Sequence, residues 1–207
     1  MLVTDRRRFG RRDLVAVIAE AVRGGVDVVQ IREKDLPDDP LTDLVSRVRE
    51  ALPPSASLLV NGRPRVARMS GCGLHLPAAD PFPDPRGISV IGRSVHELEE
   101  ARRRAEERIA YLVLGPVFPT ESKPGHPGCG LDLLRKVSGA TAPTPVFAIG
   151  GIHVPQVPEV LRAGASGIAV CGAILSASDP GRIAEALRLA VEEAVREAAP
   201  DIPAQRR

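Results

Sequence analysis

The chain reads as an α/β protein, a (β/α)8 TIM barrel in a single domain spanning residues 1–207, and three observations predict it. Short apolar, β-branched runs alternate eight times with helical segments, one of them degenerate, and no linker interrupts them. The last two runs, Pro145–Ile149 and Gly167–Val170, each stop at small residues, Gly150-Gly151 and Cys171-Gly172-Ala173, with one helical segment between. Strand, glycine turn, helix, strand, glycine turn makes those two strands parallel. No GxGxxG follows the first strand, so an open doubly wound sheet is the weaker alternative. At 207 residues the chain is at the short end of the barrel range, which starts at about 200.

Leu2–Thr4 is a minimal first strand, followed by a polar, basic loop. Asp13–Val22 has helical spacing and stops at Gly24-Gly25. Val26–Ile31 is a largely apolar, β-branched run, as a buried parallel strand requires, and its carboxyl end turns polar at Gln30-Ile31-Arg32-Glu33-Lys34. Thr42–Leu52 is the next helix, closed by Pro53-Pro54. The third strand, Leu58–Val60, ends at Asn61-Gly62-Arg63, and a short helix over Val66–Met69 leads to the fourth, Gly73–Leu76. PAADPFPDPRG then holds too many prolines for a regular helix.

Ile88–Gly92 is the expected fifth strand, Glu97–Glu107 its helix and Tyr111–Leu114 the sixth strand. The loop Gly115–Gly130, with four prolines and four glycines, is long for a βα connection and a candidate lid. Leu131–Val137 is a helix, and Val154–Ala163 another, ending at Gly164. Pro180–Glu197 is the last, with Asp179 as N-cap and Pro180 at the first helical position; residues 198–207 read as a frayed tail.

Composition excludes several functions. A net charge of +2 and five aromatic residues, none of them Trp, give neither the electrostatics nor the stacking that nucleic-acid binding needs. No run approaches the roughly 20 apolar residues of a membrane span, so no membrane partner is expected. The N-terminus MLVTDRRRF lacks the apolar stretch of a signal peptide, and the three cysteines show neither CxxC nor zinc spacing, so a reducing cytoplasm is the expected compartment.

In a barrel the site lies at the carboxyl ends of the strands. Alternation puts Gln30, Arg32 and Lys34 on one face, unless Arg32 and Lys34 close ion pairs with Glu33 or Asp35. Asn61 and Arg63 follow the third strand, His75 ends the fourth with Asp80 beyond it, and Arg93-Ser94-Val95-His96 follows the fifth. Thr120, Ser122 and Lys123 lie in the long loop. Cations outnumber carboxylates at these positions, which suits a phosphorylated substrate. Gly150, Gly151, Cys171 and Gly172 let an anion approach backbone amides and form the expected phosphate site. His75 reads as a hydrogen-bonded core histidine. For His96, capping, exposure and catalysis stay open, and Cys171 is a small buried side chain rather than a nucleophile.

The order VTD, VQIREK, VNGR, GLHL, IGRSVH, LGPVFPTESKPG, AIGGI and GIAVCGAI resembles the superfamily of thiamine-phosphate synthases and thiazole tautomerases (TenI-type), over nearly the whole chain. In the synthases the matching positions, Gln30, Arg32, Lys34, Asn61, Asp80, Ser94, Thr120 and Lys123, hold a pyrimidine pyrophosphate and Mg2+. Gly151, Cys171 and Gly172 match the thiazole phosphate site. Synthases carry a metal-binding Asp where this chain has Gly62, which leaves Asp80 alone in a two-carboxylate site. NGR with SVH places the chain nearer the tautomerase branch, and that resemblance implies an isomerase that aromatises a carboxythiazole phosphate in thiamine biosynthesis. It further implies His96 as the acid/base residue, no metal or organic cofactor, and a small phosphorylated thiazole as partner. The alternatives are a thiamine-phosphate synthase using Mg2+ at Asp80, and a non-catalytic thiazole-phosphate binder. Association into a homo-oligomer stays open.

Overall fold

The computed structural model describes residues 1–8 and 12–198. Eight strands pair in parallel and in chain order: β1 Leu2–Val3, β2 Val28–Ile31, β3 Ser57–Asn61, β4 Gly73–Leu76, β5 Ile91–Val95, β6 Tyr111–Leu114, β7 Val146–Ile149 and β8 Gly167–Ala169. The sheet closes on itself where the Val3 amide donates to the Val170 carbonyl at 2.8 Å and the Val170 amide donates to Met1 at 3.0 Å. This is the (β/α)8 barrel.

The helices are α1 Leu14–Arg23, α2 Asp38–Ala51, α3 Pro64–Met69, α4 Leu98–Ala105, α5 Gly130–Ala140, α6 Val157–Arg162, α7 Gly172–Leu175 and α8 Pro180–Ala198. Asp13 caps α1, its carboxylate accepting from the Val15 amide at 3.0 Å. α2 starts earlier than its apolar periodicity suggests, because Asp38 and Asp39 favour the first turn of a helix. No helix forms between β4 and β5, as the prolines there dictate. Residues 9–11 of the basic loop and 199–207 of the expected tail lie outside the described residues.

The apolar residues fall into two sets. Outward-facing strand residues such as Val29, Leu74, Ile91 and Leu112 pack against the helices in the main core. Inward-facing Met1, Val3, Leu59, Tyr111, Val113 and Ala169 fill the barrel's lumen. Leu112 is fully buried, and Leu112→Ala is expected to cost about 2–5 kcal/mol through the cavity it leaves. β5 differs from the expected Ile88–Gly92 span: it begins at Ile91 and runs through Gly92 to Val95. Gly92 does not end the strand, because it makes room for the Tyr111 ring, whose Cζ lies 2.0 Å from where a β-carbon would stand. Among the described residues no helix is long and apolar enough to cross a membrane.

Candidate active site

A cavity of about 720 Å³ opens at the carboxyl ends of the strands. Its wall includes Gln30, Arg32, Lys34, Asn61, Ser94, His96, Thr120, Lys123, Gly150, Gly151, Cys171 and Gly172, whereas Asp80 lies beyond Pro77 and Ala78, outside the lining. His75, Tyr111's partner in the lumen, lines it too.

On the β2 side the alternation works as the sequence implies. Gln30 is buried, donates to the Met1 sulfur at 3.7 Å and accepts from Asn61 Nδ2 at 3.2 Å, which fixes the Asn61 amide. Glu33 turns to the other face and accepts from Thr4 Oγ1 at 2.6 Å and from the Arg6 amide at 3.0 Å, while Asp35 pairs with the Arg6 guanidinium. Arg6 therefore takes both carboxylates, and among the described residues Arg32 and Lys34 are left without an ion pair. The Lys34 ammonium is pushed below its ordinary range, first by the Arg32 charge, then by burial and by Lys123, with Asp5 opposing. Three cations thus crowd one part of the mouth, an arrangement that an oligoanion relieves.

The β7–β8 side uses backbone. Gly150 and Gly151 have φ of +104° and +65°, a region that side chains with a β-carbon rarely enter. The amides of Gly151 and Gly172 donate to no backbone carbonyl among the described residues. These glycines also have a packing role that the sequence does not reveal. A β-carbon on Gly151 would lie 2.5 Å from the Pro119 carbonyl oxygen, and one on Gly150 would lie 2.5 Å from Pro116 Cβ. The base of the long β6–α5 loop rests on them, with the Val117 amide donating to Ile149 at 2.8 Å and Phe118 to Gly150 at 3.1 Å. Thr120 and Lys123 sit on the exposed tip of that loop.

His96 follows β5 and is exposed at the rim, its Nδ1 2.6 Å from the Gly115 carbonyl oxygen. That bond makes Nδ1 the protonated nitrogen and ties the ring to the start of the loop. Arg93, expected beside it on the rim but pointing away or toward a substrate carboxylate, is fully buried on the outer face of β5. Its guanidinium lies 2.7 Å from Glu107 Oε2 and donates to the carbonyls of Pro77, Ala78 and Asp80 at 3.2, 3.3 and 2.8 Å. Arg104 adds a bond to Ala78 at 2.9 Å. The two arginines hold the loop that carries Asp80.

The Asp80 carboxylate is half-buried and accepts no hydrogen bond among the described residues. A β-carbon on Gly62 would stand 3.5 Å from Asp80 Oδ2, so the two loops meet where two carboxylates would face each other. No group of three or more acidic, His or Cys side chains suited to a metal occurs among the described residues. Mg2+ bound chiefly by substrate phosphates needs only one or two carboxylates, and Asp80 meets the lower requirement.

The family model for thiamine monophosphate synthase (TMP-TENI) matches residues 1–174. The thiamine-phosphate synthase of Mycolicibacterium gilvum is 40% identical over 209 residues, which span 94% of this chain and 88% of the relative. That of Thermus thermophilus is 38% identical, over 91% of this chain and 94% of its own. The structure of a thiamine phosphate pyrophosphorylase from Pyrococcus furiosus superposes with a TM-score of 0.83 at 33% identity, covering 94% of this chain and 95% of that one. These likenesses overturn the expectation of a thiazole tautomerase, and of an isomerase with it. The Gly62 and SVH features that suggested it are short local departures, whereas the Arg32–Lys34–Lys123 cluster, without an ion pair among the described residues, exceeds what one phosphate requires. The His96 proton transfer falls with that reading, though His96 keeps its place at the rim. By matched length and by identity to its relatives alike, the chain belongs to the thiamine monophosphate synthase family.

Proposed function

We propose that the protein is a thiamine-phosphate synthase, a transferase that joins hydroxymethylpyrimidine diphosphate to thiazole phosphate and releases pyrophosphate. The observation that carries this is the gathering of Arg32, Lys34 and Lys123 in one part of the cavity without a compensating ion pair among the described residues. In this reading the diphosphate lies against those three cations, with Asn61, Ser94 and Thr120 as hydrogen-bonding neighbours. The second phosphate lies against the backbone at Gly150, Gly151, Cys171 and Gly172, which line the same cavity. The carbon–oxygen bond to the diphosphate breaks, the bond to the thiazole forms, and negative charge grows on the departing oxygen.

Arg32, Lys34 and Lys123 stabilise that growing charge, and opposing placement of the two substrates supplies proximity. Asp80 would hold a Mg2+ arriving with the diphosphate, and the ion would neutralise phosphate charge when bound. His96 fixes the Gly115 end of the long loop, whose tip carries Thr120 and Lys123 over the mouth. The partners are therefore small phosphorylated compounds of the thiamine pathway. The test incubates the purified protein with both substrates and Mg2+ and follows pyrophosphate and thiamine phosphate together. Equimolar appearance of the two, dependent on both substrates, is expected; no pyrophosphate from the pair overturns the proposal.

A further inference from the structure

His75 is buried at 2% exposure between two hydroxyls, with Nδ1 3.1 Å from Tyr111 Oη and Nε2 2.8 Å from Ser94 Oγ. The imidazole stacks on the Tyr111 ring at 5.7 Å, and that ring meets Phe147 edge-on at 5.5 Å. Burial, with Arg32 and Arg93 nearby, takes the His75 pKa down to about 3, so the ring is neutral and has one donor and one acceptor nitrogen. Burial also pushes the Tyr111 phenol above its ordinary range, so its proton stays on.

Two hydrogen-bond orders are open to such a chain. If Nδ1 carried the proton, it would donate to Tyr111 and leave the buried phenol hydrogen with no acceptor among the described residues. If Nε2 carries it, Tyr111 donates to Nδ1, His75 donates to Ser94, and every buried donor is satisfied. Ser94 Oγ then already accepts one bond, and its own proton turns toward the cavity it lines. We propose that Tyr111 and His75 are positioning residues that make the Ser94 hydroxyl an obligatory donor to an anionic oxygen of the substrate. That the oxygen belongs to a diphosphate rests on the synthase reading; the hydrogen-bond order does not.

Two measurements test it. Nitrogen-15 NMR of histidine-labelled protein, with the His75 signal identified by its loss in His75→Gln, is expected to show the neutral Nε2–H tautomer between pH 5 and 8. The Nδ1–H tautomer or an imidazolium overturns the proposal. Titration with inorganic pyrophosphate gives the second test and needs no turnover. Tyr111→Phe keeps the ring but drops the hydroxyl, and Ser94→Ala removes the donor; each is expected to weaken binding about tenfold, Tyr111→Phe with a lowered melting temperature because the buried Nδ1 loses its donor, and the double variant is expected to weaken binding no further than Ser94→Ala. Wild-type affinity in Tyr111→Phe, or additive losses in the pair, overturns it. If the free tautomer is as expected but no synthase activity exists, the reaction assignment fails while the hydrogen-bond order stands.

Discussion

The β2 side of the cavity and the β7–β8 side meet anions by opposite means. The first presents long cationic side chains whose natural partners have been drawn away, since Arg6 occupies Glu33 and Asp35. The second presents backbone amides at glycines whose conformations and neighbours leave no room for a side chain. Charge on a side chain can be removed without touching the fold. A glycine wedged under a loop cannot be altered without moving the loop.

That difference sets an order of expected effects. Gly151→Val is the largest: a positive φ and a clash with Pro119 each cost about 1–3 kcal/mol, so the melting temperature falls measurably and thiazole phosphate binding is lost with it. Calorimetry showing an unchanged melting temperature would erase the contrast between the two sides. Arg32→Ala is next, raising the Michaelis constant for the diphosphate by about ten- to a hundredfold at unchanged melting temperature. An equal rise for the thiazole phosphate would mean that the two anions share one site.

His75 gives a graded effect, spread over several pH units and modest at any one step. Its folded pKa of about 3 is below that of the unfolded chain, so the unfolded state binds the extra proton between pH 6.5 and 3. Stability therefore falls with acid through that window, by about 1.4 kcal/mol per pH unit from this one group. Denaturation of His75→Gln across the same range is expected to show a shallower slope, and the same slope would deny the burial cost. Lys34 gives the smallest effect, because its side chain is exposed. Its lowered pKa means that stability rises slightly with pH on the alkaline side as the crowded charge is lost. Bound pyrophosphate should flatten that rise, and a rise indifferent to it would place the anion elsewhere.

The residues legible in the sequence are those whose signal is local. Gln30 lies in β2, and Arg32 and Lys34 follow it at alternate positions just past the strand's end, so their common side follows from spacing. The paired glycine turns likewise sit where strands stop. What escaped depends on distant partners. Gly92 resembles a strand end until Tyr111, 19 residues on, is seen to occupy its β-carbon space. Arg93 resembles a rim cation until Glu107 and three loop carbonyls claim it. Tyr111 is the chain's single tyrosine, a compositional signal for a placed hydroxyl, yet its tie to His75 spans 36 residues. Gly62 and SVH are short local motifs pointing to the tautomerases; the strand-end cations are legible beside them, but that Arg6 leaves Arg32 and Lys34 without an ion pair among the described residues shows only in the fold.

The Arg93–Glu107–Arg104 group stands where the other barrel units place a helix. A helix protects its connection with its own ladder of amide bonds; here the segment from Pro77 to Asp80 is held through its carbonyls by two guanidinium groups. Its amides gain little from that grip: the Asp80 amide reaches Pro77 at 3.2 Å and the Ile88 amide reaches Pro85 at 3.1 Å. In exchange with heavy water, the stretch from 79 to 90 is expected to label well before the strands on either side, while the barrel stays closed. Glu107→Gln should quicken that labelling selectively, making the β4–β5 side the first part of the molecule to open.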